Sequence, residues 1–205
     1  YDSVYHKQAH QPLTLIVFKH HLNHRAEIVN THLMDALFST IPWNTPALWQ
    51  AANAGLSIAI SRNRPAMAGP IRQALAIRRQ YEAIFPHMDH LCRRTCPACS
   101  DSCCRRAWVW ADFNDLLFLH LAGIDPPRRQ LLHQKGDQCR YAGADGCRLN
   151  RIQRPFVCTW YLCPAQTRIL KGLPNTRKTL TAAIEQIKTA RRQMENRFMA
   201  VVAGK

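Results

Sequence analysis

Residues 96–104 read Cys96-Pro97-Ala98-Cys99-Ser100-Asp101-Ser102-Cys103-Cys104. Residues 139–163 read CRYAGADGCRLNRIQRPFVCTWYLC and contribute Cys139, Cys147, Cys158 and Cys163. Together with Cys92 these are all nine cysteines of a 205-residue chain; the 91 residues before them and the 42 after contain none. Cysteines that merely fill a core are scattered among the apolar positions of every element. Nine confined to 72 residues mark one local device, and the rest of the chain is read around it.

Three devices compete. A disulfide framework suits a short secreted chain with an even count. Here the count is odd and the chain long, and the adjacent Cys103 and Cys104 bond to each other only with strain. A redox dithiol needs only Cys96-Pro97-Ala98-Cys99 and leaves seven thiols idle. A metal or iron–sulfur site uses the set. Cys96 and Cys99 form a two-thiolate knuckle, Cys103 and Cys104 follow, and Cys139, Cys147, Cys158 and Cys163 return from downstream to close the shell. Four thiols within nine residues, followed by four more, make metal or cluster binding the leading reading. Eight thiolates suffice for two tetrahedral zinc sites, and a [4Fe–4S] cluster also takes four. Thiolate softness excludes calcium and magnesium, and the spacing leaves zinc and iron open.

The order of these residues resembles the YkgJ-type cysteine-cluster family of zinc- or iron-chelating proteins. In that family a CxxCxxCC start is followed by an Asp-led helix, a Cys…Cys pair and an Arg-Pro-x-x-Cys segment. Cys96, Cys99, Cys103 and Cys104 match the start, with three residues rather than two before the vicinal pair. Asp112 or Asp115 matches the aspartate, Cys139 and Cys147 the pair, and Arg154-Pro155 with Cys158 the close. Cys92 and Cys163 have no assured counterpart. The piece Cys99-Ser-Asp-Ser-Cys103-Cys104 with Trp108 is also similar to the cysteine region of flagellin lysine-N-methylases, which implies an iron–sulfur cluster. The resemblance covers about a third of the chain, so it implies a cluster more firmly than a reaction.

The flanks read as helices. Thr45 before Pro46 is an N-cap followed by a first-turn proline and opens a helix to about Arg62. Gly69-Pro70 separates it from a second helix, Ile71 to Phe85, which Pro86 ends or kinks. Asp112 or Asn114 caps a helix through Leu121, stopped by Gly123 and Pro126-Pro127. Leu180, Ile184, Ile187, Met194, Phe198 and Val201 share one face of a C-terminal helix, with Arg191 and Arg192 at its border. Leu13–Phe18 suits a strand and Ile28–Phe38 a helix. The expected architecture is one mainly α domain over residues 1–205. It comprises a helical part (1–91), an irregular Cys-rich metal-organised centre (92–165) and a basic C-terminal helix (166–205).

The chain carries 28 Lys+Arg against 13 Asp+Glu, a net charge of +15. Residues 1–91 hold 8 basic and 5 acidic groups, residues 92–163 hold 11 and 6, and residues 164–205 hold 9 and 2. The excess grows toward the C-terminal helix, away from the proposed ligands. It points to an acidic protein partner or a larger assembly, or more weakly to nucleic acid phosphate, for which no recognition motif is present. Leu13–Phe18 and Leu116–Ile124 are too short for a membrane span, and no charged stretch with a long apolar run opens the chain.

Other candidates have simpler readings. His20 and His24, or His87 and His90, stand at spacings that can converge on a metal, but no HExxH accompanies them and solvent-facing histidine is commoner. Trp108, Trp110, Trp160 and Tyr161 can shield a cluster from water or simply join the core. Arg93-Arg94 and Arg105-Arg106 can offset the negative charge of a thiolate site or stand solvated. Asp112 and Asp115 are an acid/base candidate, yet capping explains them more cheaply. No GxGxxG, P-loop or GxSxG is present. The expectation is a cytoplasmic metal-binding module with a structural, carrier or assembly role. The competing expectations are an iron–sulfur-dependent protein-modifying enzyme and a basic nucleic-acid-binding metal protein.

Overall fold

The computed structural model describes residues 41–97, 99, 109–144 and 146–204, all within one compact unit, Ile41–Lys205. The unit is mainly helical. Helix α1 spans Pro46–Arg62 and a 3-10 turn Arg64–Met67; α2 spans Ala68–Thr95 and α3 Phe113–Leu121. A two-stranded antiparallel ribbon pairs β1, Ala142–Gly143, with β2, Gly146–Cys147. A second 3-10 turn, Arg151–Gln153, precedes the short α4 (Val157–Trp160), α5 (Pro164–Lys171) and α6 (Pro174–Val202). The strand and helix expected at Leu13–Phe18 and Ile28–Phe38, and the histidine pair His20 and His24, lie outside the described residues.

Local signals set the helix ends. The Thr45 hydroxyl accepts the Leu48 N–H at 3.3 Å and Pro46 takes the first helical position. Replacing Thr45 by Ala leaves that N–H without its cap and is expected to cost about 1 kcal/mol, read from a denaturant-unfolding midpoint. An unchanged midpoint shows that the cap contributes nothing. Asp112 caps α3 in a reciprocal box: its carboxylate accepts the Asp115 N–H (2.8 Å), while Asp115 accepts the Asp112 N–H (3.0 Å). Gly123, at φ 66°, supplies the left-handed residue that ends α3.

The second helix departs from expectation at both ends. It starts at Ala68 and runs to Thr95 instead of spanning Ile71 to Phe85. Pro70 is its third residue, where the amide has no intrahelical acceptor, so proline costs no hydrogen bond. Pro86 sits on the exposed side, and the helix passes through it because Met88 and Leu91 continue the buried face.

The core is a seam between α2 and α6. On α2, Ala74, Ile77, Tyr81, Ile84, Met88 and Leu91 are buried at alternating steps of three and four residues. On α6 the same alternation runs through Leu180, Ile184, Ile187, Arg191, Met194 and Phe198. Arg191 is therefore a seam residue, not a border one, while Arg192 is exposed. Helix α3 packs against α1, α2 and α6 and is buried almost all round, from Asn114 to Leu119 and at Leu121. Its His120 bridges to α1, with Nε2 2.9 Å from Asn53 Oδ1.

One buried side chain ties the irregular segments to this frame. Gln130 Oε1 accepts the N–H groups of Ala111 (2.8 Å) and Leu131 (2.9 Å), and its Nε2 donates to the carbonyls of Pro42 and Ala111, both at 2.9 Å. All its hydrogen-bonding capacity is used, which is what makes burying an amide affordable.

Candidate metal centre

The cysteines hang on the end of α2 and on the segment 139–163. Cys96 is the C-cap of α2, its N–H donating to the Cys92 carbonyl at 2.8 Å. The Cys99 N–H donates to the Cys96 carbonyl at 3.2 Å and closes the turn between these two cysteines. Cys139 is buried, and Cys147 lies on β2 opposite Ala142. Cys158 lies in α4, and Cys163 caps α5, its N–H donating to Gln166 Oε1 at 3.2 Å. None of the seven described cysteines is in a disulfide. Cys103 and Cys104 lie outside the described residues.

Two of these thiols meet. Cys92 and Cys96, one helical turn apart, are hydrogen-bonded through their side chains. The Cys92 sulfur also accepts from Arg151 Nη2 at 3.3 Å and from Gln166 Nε2 at 3.5 Å. The bond from Cys96, then the bond and charge of Arg151 and the charge of Arg154, bring the Cys92 thiol down to about 5 against the opposing effect of burial. Gln166 links it to the Cys163 backbone, so Cys92, Cys96 and Cys163 share one neighbourhood. Among the described residues, no group of three or more His, Cys, Asp or Glu side chains is assembled as a metal site. His87 and His90 are exposed.

Arginines organise the site. Arg151 is 9% exposed, pairs through Nε with Asp89 and sits 5.9 Å over the Phe85 ring. Its Nη1 is buried and has no hydrogen-bond partner among the described residues. Arg154, of the Arg-Pro-x-x-Cys segment, donates to the Leu149 carbonyl (3.1 Å) and the Cys147 carbonyl (3.5 Å), fixing the ribbon to the turn before α4. Arg93 and Arg94 are exposed, whereas Arg105 and Arg106 lie outside the described residues. Trp110, Trp160 and Tyr161 are half-buried, the last two as an edge-on pair with centroids 6.2 Å apart.

The aspartates of the capping box do more than cap. Asp115 Oδ1 accepts from Arg191 Nη2 at 2.7 Å and from the Phe156 N–H at 2.9 Å, three residues after the Arg151–Gln153 turn. Arg191 lies 3.4 Å from Asp112 Oδ1 and 5.0 Å over the Phe156 ring. Burial, then the Asp112 charge, pushes the Asp115 carboxyl up to about 7 against the pull of Arg191. The cluster joins α2, α3, α6 and the segment leading into Cys158. Asp115 and Arg191 are both buried.

The cysteine order leaves Cys92 without an assured counterpart, and neither Arg151 nor Gln166 stands out in the sequence. The available signal was the Cys92-x3-Cys96 spacing, which puts both sulfurs on one helix face once α2 passes through Pro86.

The donor set suits a thiophilic metal. Cys96, Arg151 and Gln166 supply the Cys92 sulfur with the kind of hydrogen bonds that a ligating sulfur accepts. No family model matches the chain, and no curated protein or solved structure matches it. No described helix is long and apolar enough to cross a membrane.

Proposed function

We propose that this protein is a cysteine-cluster metal-binding module of the YkgJ type. It holds zinc or iron, the latter as an iron–sulfur cluster, through thiolates drawn from Cys96, Cys99, Cys103, Cys104, Cys139, Cys147, Cys158 and Cys163. Its role is structural, or that of a carrier or assembly factor. The observation that carries the reading is the convergence on the Cys92 sulfur of hydrogen bonds from Cys96, Arg151 and Gln166. Asp89 meets the buried Arg151 guanidinium through Nε, which leaves Nη2 to donate to the Cys92 sulfur at 3.3 Å. The absence of a disulfide among the seven described cysteines also favours this reading over a stapled framework.

The basic face of α6 completes the proposal. Arg177, Lys178, Lys188, Arg192 and Arg197 are exposed there, and a partner with an acidic surface would use it. The reading places the protein in the reducing cytoplasm, where free thiols persist.

The test is metal analysis with an absorption spectrum of anaerobically purified protein. The expected result is zinc or iron bound per chain, with a broad visible band if the metal is an iron–sulfur cluster. A colourless, zinc-loaded sample removes the iron–sulfur enzyme and leaves the module. Protein that takes up neither metal overturns the proposal.

A further inference from the structure

We propose that Cys92 is itself a thiolate ligand of the metal centre and that Arg151 and Gln166 position its sulfur. The inference rests on the reading above and adds a ligand that the cysteine motif leaves out.

Three observations lead to it. First, α2 carries Cys92 and Cys96 on one face, with their sulfurs already hydrogen-bonded to each other. Two sulfurs bound to one tetrahedral zinc lie about 3.8 Å apart, given a Zn–S bond of about 2.3 Å, so neighbouring thiols in hydrogen-bond contact need little movement to share an ion. Second, the Cys92 sulfur accepts two N–H donors from separate elements, Arg151 at 3.3 Å and Gln166 at 3.5 Å. Such donors surround ligating sulfurs and fix their orientation. Third, Arg151 is held by Asp89 and buried, yet among the described residues Nη1 has no acceptor. A second ligand sulfur or a cluster sulfide beside Cys92 would supply one.

A purely structural Cys92 would pin α2 to the Arg151–Gln153 turn, and its loss would not touch metal stoichiometry. Ligation makes a different demand. In the full chain, loaded anaerobically with zinc, Cys92→Ser is expected to retain half or less of the wild-type metal while keeping its far-UV circular dichroism. Cys92→Asp is expected to recover part of it, because a carboxylate ligates zinc and a serine hydroxyl does not; packing alone predicts the opposite order. Arg151→Gln leaves every thiol in place and is expected to weaken zinc ten- to hundredfold in competition with a chelator, at unchanged stoichiometry. It serves as the readout where Cys92→Ser does not fold. Wild-type stoichiometry and chelator competition in Cys92→Ser, or unaltered competition in Arg151→Gln, overturn this proposal and leave the metal centre standing. A wild-type protein without metal overturns both.

Discussion

Replacing Arg191 by Met should destabilise the protein by about 3–5 kcal/mol, the usual cost of removing one partner from a buried ion pair. Arg191 and Asp115 are 5% and 7% exposed, so solvent does not screen their contact. The methionine fills much of the volume but leaves Asp115 with only its backbone donors, the N–H groups of Asp112 and Phe156. For a unit of this size the loss corresponds to a fall in Tm of roughly 10 °C. Thermal unfolding followed by circular dichroism measures it. The double variant Arg191→Met with Asp115→Asn should recover more than 1 kcal/mol of the loss, since it removes the stranded charge. The pH dependence provides a signature. The folded-state carboxyl already sits above its ordinary range, and without Arg191 it rises further. A raised carboxyl contributes stability that is present at low pH and lost as pH rises through its folded value. Arg191→Met should therefore gain stability relative to wild type between pH 8 and pH 6. A loss under 1 kcal/mol, or no such gain, shows that the seam arginine is dispensable.

Removing the metal should have the other large effect. Thiolates must lose protons and converge to bind, so binding energy is also folding energy, on the order of 10 kcal/mol for structural zinc. Chelation, or replacement of Cys103 and Cys104 together by Ser, should disorder the cysteine-bearing parts of residues 92–165, while α3 stays packed in the core. Hydrogen exchange should then accelerate across the ribbon, α4 and α5. Residues of the α2–α6 seam, such as Ile77, Ile187 and Phe198, should keep most of their protection, because their burial does not depend on a thiol. Limited trypsin digestion should cut first after Arg140 and Arg148. A double variant that keeps its metal content and melting temperature would sink the metal-centre reading.

Much of the helical frame was readable from the amino acids alone. Thr45-Pro46, the Asp112 box and Gly123 act within a few residues, so their effect is local and legible. The apolar face of α6 was legible for the same reason. Arg191 was not, because a charged residue reads as surface unless its partner is known, and Asp115 stands 76 residues away. Pro86 misleads in a related way: proline breaks a helix by propensity, but tertiary burial of Met88 and Leu91 overrides one lost hydrogen bond. Of the candidate site, cysteine spacing suggests the proposed chemistry, whereas the grip of Arg151 and Gln166 on Cys92 spans 59 and 74 residues and leaves no periodic trace.

Pro86 has a consequence for the continuity of α2. Lacking an N–H, it deprives the Glu82 carbonyl of its helical donor. The nine residues beyond it, ending at Thr95, are thereby joined to the rest of α2 by a weakened link. That distal stretch carries both Cys92 and Cys96, and the burial of Met88 and Leu91 is what holds it to the seam across the missing bond.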